Sequence, residues 1–299
     1  MAETEVWLLS VSSGLLLCGC FANIFSLAAV KKAAKADLNH LGVSHPKRAF
    51  ARHTNYLQHA SDAFLNFLTI PLIHLQDPLL AYHIQAIPIA VVVWMHALRS
   101  ISRTTRFARP FLWSKLMSNF KDSMVAMAYV SSLLVFLYAT VSNALIYFDI
   151  LHNFRETILW MMAVQGWILP GVILLVSNKA LFVTIWLNER QKKRTGLVVR
   201  YGWQLWIAGY GFLTTLIFIS TTAISLLAHP LHKEVALDDQ LTATRNKILV
   251  NLSPLHSILL PTVLSVLNPL LSFICIEKFR GDCTDLMSQW QRKLTSCFN

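Results

Sequence analysis

Long apolar stretches broken by short polar or basic connections set the pattern of this chain. Crossing the hydrocarbon core of a bilayer takes about 20 mostly apolar residues in a helix. Seven stretches meet that requirement: 6–30, 54–75, 79–103, 123–148, 157–187, 203–228 and 249–275. The second is the most interrupted, by His59, Asp62 and His74. The first stands where a signal peptide would. Its apolar run is too long for one, however, and its positive flank of Lys31, Lys32 and Lys35 follows the run instead of preceding it. No internal repeat, low-complexity tract or linker divides the chain, so one domain over 1–299 is expected. The predicted fold is all-α, a seven-transmembrane helix bundle with a tail over 276–299.

Composition supports a membrane setting. The 299 residues are 55% apolar and only 14% charged, against roughly 25% charge in average soluble domains. The 26 Lys+Arg and 15 Asp+Glu leave a net charge of +11. Nucleic-acid binders are basic too, but they do not carry runs such as Val6–Val30. Position explains the excess better. Six basic residues lie in the 31–53 connection and six more from Arg99 to Lys121. Arg190, Lys192, Lys193, Arg194 and Arg200 follow the fifth span, Lys278, Arg280, Arg292 and Lys293 lie in the tail, and Lys179 stands near the same end of span five. Only Arg155, Lys233, Arg245 and Lys247 fall on the opposite side. This positive-inside asymmetry predicts an N-terminus outside and a cytoplasmic C-terminus in a multi-pass membrane protein, for which the plasma membrane is the expected location.

Ionisable residues within a span are functional candidates by default. Arg99 and Arg103 lie near the cytoplasmic end of span three, and Lys179 can snorkel toward that side, which leaves Asp62 as the one acid with no escape. At 1.5 Å per residue, Asp62 lies about 12 Å from the inner end of its span, and Asn23 and Asn268 each about 10 Å from theirs. Three polar groups at one depth predict a shared hydrogen-bonded cluster, because burial without partners is costly.

At these residues the chain resembles a divergent rhodopsin-like (class A) G-protein-coupled receptor of orphan or chemosensory type. Ala22-Asn23 is similar to the family's first-helix motif, and Asp62 with Pro71 to its second. Asn268-Pro269-Leu270-Leu271-Ser272 followed by Glu277-Lys278-Phe279-Arg280 resembles N-P-x-x-Y and a short amphipathic eighth helix. Ser102-Arg103-Thr104 with Pro110 has the spacing of D-R-Y and its following proline, and Pro170 suits the fifth helix. The departures are Ser102 for an acid, Thr104 and Ser272 for tyrosines, no tryptophan in span four, and no C-W-x-P in span six. No cysteine is placed to join helix three to the second outer loop.

The resemblance implies ligand-dependent coupling to a heterotrimeric G protein. Asn23, Asp62, Ser265 and Asn268 would form the polar network, with a sodium ion as an optional occupant, and Arg103 and Arg106 would meet the G protein. Without an acid beside Arg103, basal activity should be high unless restraint comes from elsewhere. His74, His83, Gln85, Gln165, Trp167, Thr222 and His256 sketch an outer pocket, which has no acid on span three to anchor an amine; a small, weakly polar ligand fits better. Cys283 and Cys297 are lipidation candidates, and membrane lipids are partners. The Asn251-Leu252-Ser253 sequon precedes Pro254 at the start of span seven and is expected to stay unused. An enzyme is not expected, since His96, His152 and His256 are scattered in depth and Asp62 has no partner acid. The alternative is a multi-pass transporter or channel that uses Asp62 in an ion or proton path.

Overall fold

A computed structural model describes residues 3–41, 46–75, 77–194, 202–227 and 259–298, and they are helical with no strand among them. The helices are α1 (Glu3–Leu41), α2 (Pro46–Leu72), α3 (Pro78–Ala108), α4 (Pro110–Tyr147), α5 (Arg155–Ala163), α6 (Leu169–Arg194), α7 (Gly202–Leu227), α8 (Val263–Cys275) and α9 (Glu277–Phe298). Proline opens α2, α3 and α4, where its fixed φ and missing N–H fit the first helical turn. Asp77 Oδ1 adds a cap to α3 by accepting from the Leu80 amide at 3.0 Å.

Four helical segments among the described residues are long and apolar enough to cross a membrane: Leu9–Ala33, Leu80–Ala108, Asp122–Tyr147 and Thr157–Asn188. The apolar parts of α7 and α8, Trp206–Thr221 and Val263–Cys275, are shorter. The expected 249–258 portion of span seven lies outside the described residues. The second expected span forms a helix, α2, but its polar stripe keeps it out of the apolar group.

That stripe is turned inward. Asp62 and Asn66 are fully buried, whereas Phe64 and Phe67 on the same helix are 50% and 63% exposed. Water-soluble helices bury the apolar face instead, so the arrangement suits an apolar solvent around a polar interior.

The third connection differs from the loop that the sequence pattern predicts. After a break at Ala108–Pro110, α4 begins at once and runs through non-helical φ/ψ at Phe120. The reason is packing: Trp113 and Met117 on this first segment are buried against Phe50 of α2 and Ala128, so the segment is helical and docked.

The helices α1, α2, α3, α6, α7 and α8 pack in a closed ring, each on the next and α8 back on α1. α4 lies outside it against α2 and α3, and α9 folds back on α1 and α8. Inside the ring, Leu65, Val92, Val93, Trp167, Leu174, Phe218 and Leu264 form an apolar cluster. At one end Phe279, Cys283 and Leu286 of α9 close over Ala29 and Val30 of α1. Between α5 and α6, Val164–Ile168 form a π turn. Such a turn disturbs the regular backbone bonding, and the Trp94 indole N–H of α3 donates to the Gln165 carbonyl there at 2.9 Å.

Candidate functional site: a buried polar circuit

Gln58, His59, Asp62, Asn66 and Thr69 lie three or four residues apart along α2 and therefore share a face; all are fully buried. A row of hydrogen bonds starts from it. Arg99 Nη1 of α3 donates to Gln58 Oε1 at 2.6 Å and to the Tyr210 hydroxyl of α7 at 3.1 Å. Tyr210 donates to Asn268 Oδ1 of α8 at 2.6 Å, and Asn268 Nδ2 donates to Asp62 Oδ2 at 2.6 Å. Gln58 and Asp62 share α2, so the circuit closes. His96 of α3 sits inside it, its ring nitrogens 3.0 Å from Gln58 Nε2 and its Nε2 3.8 Å from Asp62 Oδ1.

A second branch joins α1. Pro269 cannot give a backbone N–H, so the carbonyl of Ser265, one turn earlier, lacks its helical partner. Asn23 Nδ2 supplies one at 2.9 Å and also donates to Gly19 O at 2.9 Å. Asn23 Oδ1 accepts from His59 Nδ1 at 2.9 Å, and Ser265 Oγ donates to Asn66 Oδ1 at 2.6 Å. This close approach explains Gly19: a Cβ there would lie 2.9 Å from Asn66 Nδ2 and 3.0 Å from Val266. Phe279 of α9 stacks on His59, with centroids 5.5 Å apart.

The structure thus brings Asn23, Asp62, Ser265 and Asn268 into one connected cluster. His59 Nε2, Asp62 Oδ1 and Asn66 Nδ2 have no hydrogen-bond partner among the described residues. The named groups around the Asp62 carboxylate are the nitrogens Asn268 Nδ2 and His96 Nε2, and the Asn268 oxygen is engaged by Tyr210. Asp62 Oδ1 thus remains a buried carboxylate oxygen bonded to no donor among the described residues. Among the described residues no group of three or more His, Cys, Asp or Glu could hold a metal ion.

Arg103 does not meet Ser102, whose hydroxyl donates to Arg99 O at 2.9 Å. Its guanidinium lies over the Tyr210 ring, 4.7 Å from the centroid. Arg106 is exposed in the last turn of α3.

The described outer-pocket residues are spread over more than one place. His74 is exposed and lies 3.3 Å from Ser13 Oγ. His83 is buried and bonded to Asn143 at 2.9 Å, and Gln85 donates to Thr69 at 3.2 Å, extending the α2 row. Gln165 and Trp167 line a cavity of about 350 Å³ with Ala90, Trp94, Tyr138 and Gly166, between α3, α4 and the π turn. The side chains of Thr222 and Cys297, and all of His256, lie outside the described residues. Cys283 is 2% exposed against α1. Burial, then the neighbouring Asp282 charge, raises its thiol to about 11, so this packing does not present it for lipidation.

Sequence reasoning passed over Gln58, Asn66 and Tyr210 and gave His96 and Arg99 no place in the cluster. Helical spacing from Asp62 marks Gln58 and Asn66. Arg99 read as an inner-end charge, yet it is 4% exposed and bonded on two sides.

The chain matches no protein-family model, and no curated protein is similar to it in sequence. Its class therefore rests on the fold and the polar circuit: a helical protein with several helices long and apolar enough to span a membrane.

Proposed function

We propose that the chain is a seven-helix receptor of rhodopsin-like layout in the plasma membrane, N-terminus outside, which senses a small extracellular ligand and signals to a heterotrimeric G protein. One observation carries the reading. A set of buried hydrogen bonds, Gln58–Arg99–Tyr210–Asn268–Asp62, closed by the helix that Gln58 and Asp62 share, ties α2, α3, α7 and α8 together. Sub-ångström shifts of such helices exchange partners in discrete steps, which gives a bundle two states. A ligand drives the change only through unequal affinity for those states. The ring of helices and the inward-facing α2 row support the reading, as does the mostly apolar cavity beside Gln165 and Trp167. Asp62 acts here through Asn268, and a sodium ion at its unpartnered Oδ1 is an optional part of the reading. Arg103, held over Tyr210, has the local restraint that Ser102 does not give it.

The test is G-protein dissociation in cells expressing the full chain, compared with the Asn268→Ala chain at equal surface level. Basal or ligand-driven dissociation that changes with the variant is the expected result. A silent chain under every G-protein class, together with saturable solute uptake, would overturn it.

A transporter or channel is the second reading. It is favoured by the row of unsatisfied polar atoms on His59, Asp62 and Asn66, where water could enter. Proteoliposomes holding the chain would then carry an ion or proton current that Asp62→Asn abolishes.

A further inference from the structure

A groove of about 620 Å³ runs between α6 and α7, within the size range of ligand sites. Its walls are apolar, with Leu175 and Phe182 from α6 and Phe212, Leu216 and Ile219 from α7. One charged residue, Lys179, is among those lining it, and it is exposed. Lys179 stands nine residues before Asn188, the end of the apolar segment, or about 14 Å inside it at 1.5 Å per residue. An ammonium at that depth needs a counter-charge or a route to water. No acidic side chain pairs with Lys179 among the described residues.

We propose that this groove binds a free long-chain fatty acid, its carboxylate on Lys179 and its chain against Phe182, Phe212 and Leu216. The pairing neutralises a cation in hydrocarbon and fills an apolar trough at once. A phospholipid is the poorer occupant, because its two chains and large headgroup hold the phosphate in the leaflet's headgroup layer. A single-chain acid can instead follow the trough to a lysine reaching outward along it. Gly209 leaves the trough open: a Cβ there would meet nothing within 4 Å. The site also touches a latch. Asn178, on the groove wall, accepts from Ser100 of α3 at 2.9 Å and donates to Thr215 of α7 at 2.7 Å. A bound chain therefore sits on the contact that sets the distance between α6, α7 and α3. This site stands independently of the receptor reading.

The experiment uses the full chain in phosphatidylcholine nanodiscs with radiolabelled oleate. Saturable binding is expected, at least tenfold weaker in Lys179→Gln and in the groove-filling Gly209→Phe, and retained in Lys179→Arg. Oleyl alcohol should compete poorly. Equal binding by Lys179→Gln, or equal competition by oleyl alcohol, overturns the proposal. So does displacement of oleate by phosphatidylglycerol as effective as by oleate itself. Competition on the unmodified protein decides the matter even where Lys179→Gln fails to fold.

Discussion

Asn268 donates a 2.6 Å hydrogen bond to the Asp62 carboxylate across 206 residues of sequence, while its own oxygen accepts from Tyr210. One side-chain amide thus holds α2, α7 and α8 together. It is followed by Pro269, whose missing N–H releases the Ser265 carbonyl to Asn23 of α1. The Asn-Pro pair therefore joins four helices by two different routes.

Asn268→Ala removes the amide that serves both Asp62 Oδ2 and the Tyr210 hydroxyl in a buried site, while Arg99 still donates to Tyr210. Losing one hydrogen bond to a carboxylate and one between neutral groups should cost about 2–4 kcal/mol. Thermal unfolding of the purified chain in detergent reads this directly. An unchanged midpoint would mean that the circuit does not bear on stability.

Tyr210 has two separable parts. Its hydroxyl links Arg99 to Asn268, and its ring underlies Arg103 at 4.7 Å. Tyr210→Phe removes only the first, and Tyr210→Leu removes both. If the ring restrains Arg103, basal G-protein activation should rise further in the Leu chain than in the Phe chain, by a cation–π contribution of roughly 1–2 kcal/mol. Equal basal signals from the two variants would assign no such role to the ring.

The helical character and the depth of the polar residues were legible in the sequence because both follow from one periodicity. Apolar runs give the helices, and counting from a run's end puts Asn23, Asp62 and Asn268 at similar depth. Their partners were harder to read. His96 and Arg99 lie within an otherwise apolar α3, and only the packing of α3 against α2 shows that they face Asp62 and Gln58 and not an interface. Tyr210 reads as one more aromatic residue until α7 is set beside α8. The outer pocket was the least legible part, since polar residues near helix ends look alike in sequence. His74 proves exposed, whereas His83 is buried against Asn143.

Two glycines should respond oppositely to alanine. At Gly211 a Cβ would lie 2.4 Å from Asn178 Oδ1, inside the α6–α7 latch, whereas at Gly14 it would meet nothing within 4 Å. Gly211→Ala should destabilise by about 1–3 kcal/mol through forced displacement. Gly14→Ala should stabilise by roughly 0.5–1 kcal/mol, since alanine loses less freedom in a helix. Unfolding midpoints shifting in the same direction would contradict the packing at Asn178.

The π turn at Val164–Ile168 depends on a donor from another helix, the Trp94 indole. Trp94→Phe keeps an aromatic ring and removes the N–H, so the Gln165 carbonyl loses its bond and the chain about 1 kcal/mol. Trp94 also lines the cavity with Gln165. Hydrogen exchange at 164–168 should therefore quicken in this variant; unaltered exchange would show that the turn is held by its own backbone.

Cys283 gives the pH-dependent case. Burial against α1, and secondarily the Asp282 charge, raises its thiol from 9.0 to about 11. The folded chain then holds the thiol proton more tightly than the unfolded chain does. The resulting stabilisation is fully present below about pH 9 and is lost as pH rises through about 11. The native chain should accordingly lose thermal stability between those values, and Cys283→Ala should lose less over the same interval. Because the thiolate is the reactive form, maleimide labelling of Cys283 at pH 8 should be slow in the folded chain and fast after denaturation. Rapid native labelling of Cys283 would show that α9 does not stay packed on α1 and would reopen that thiol as a lipidation site.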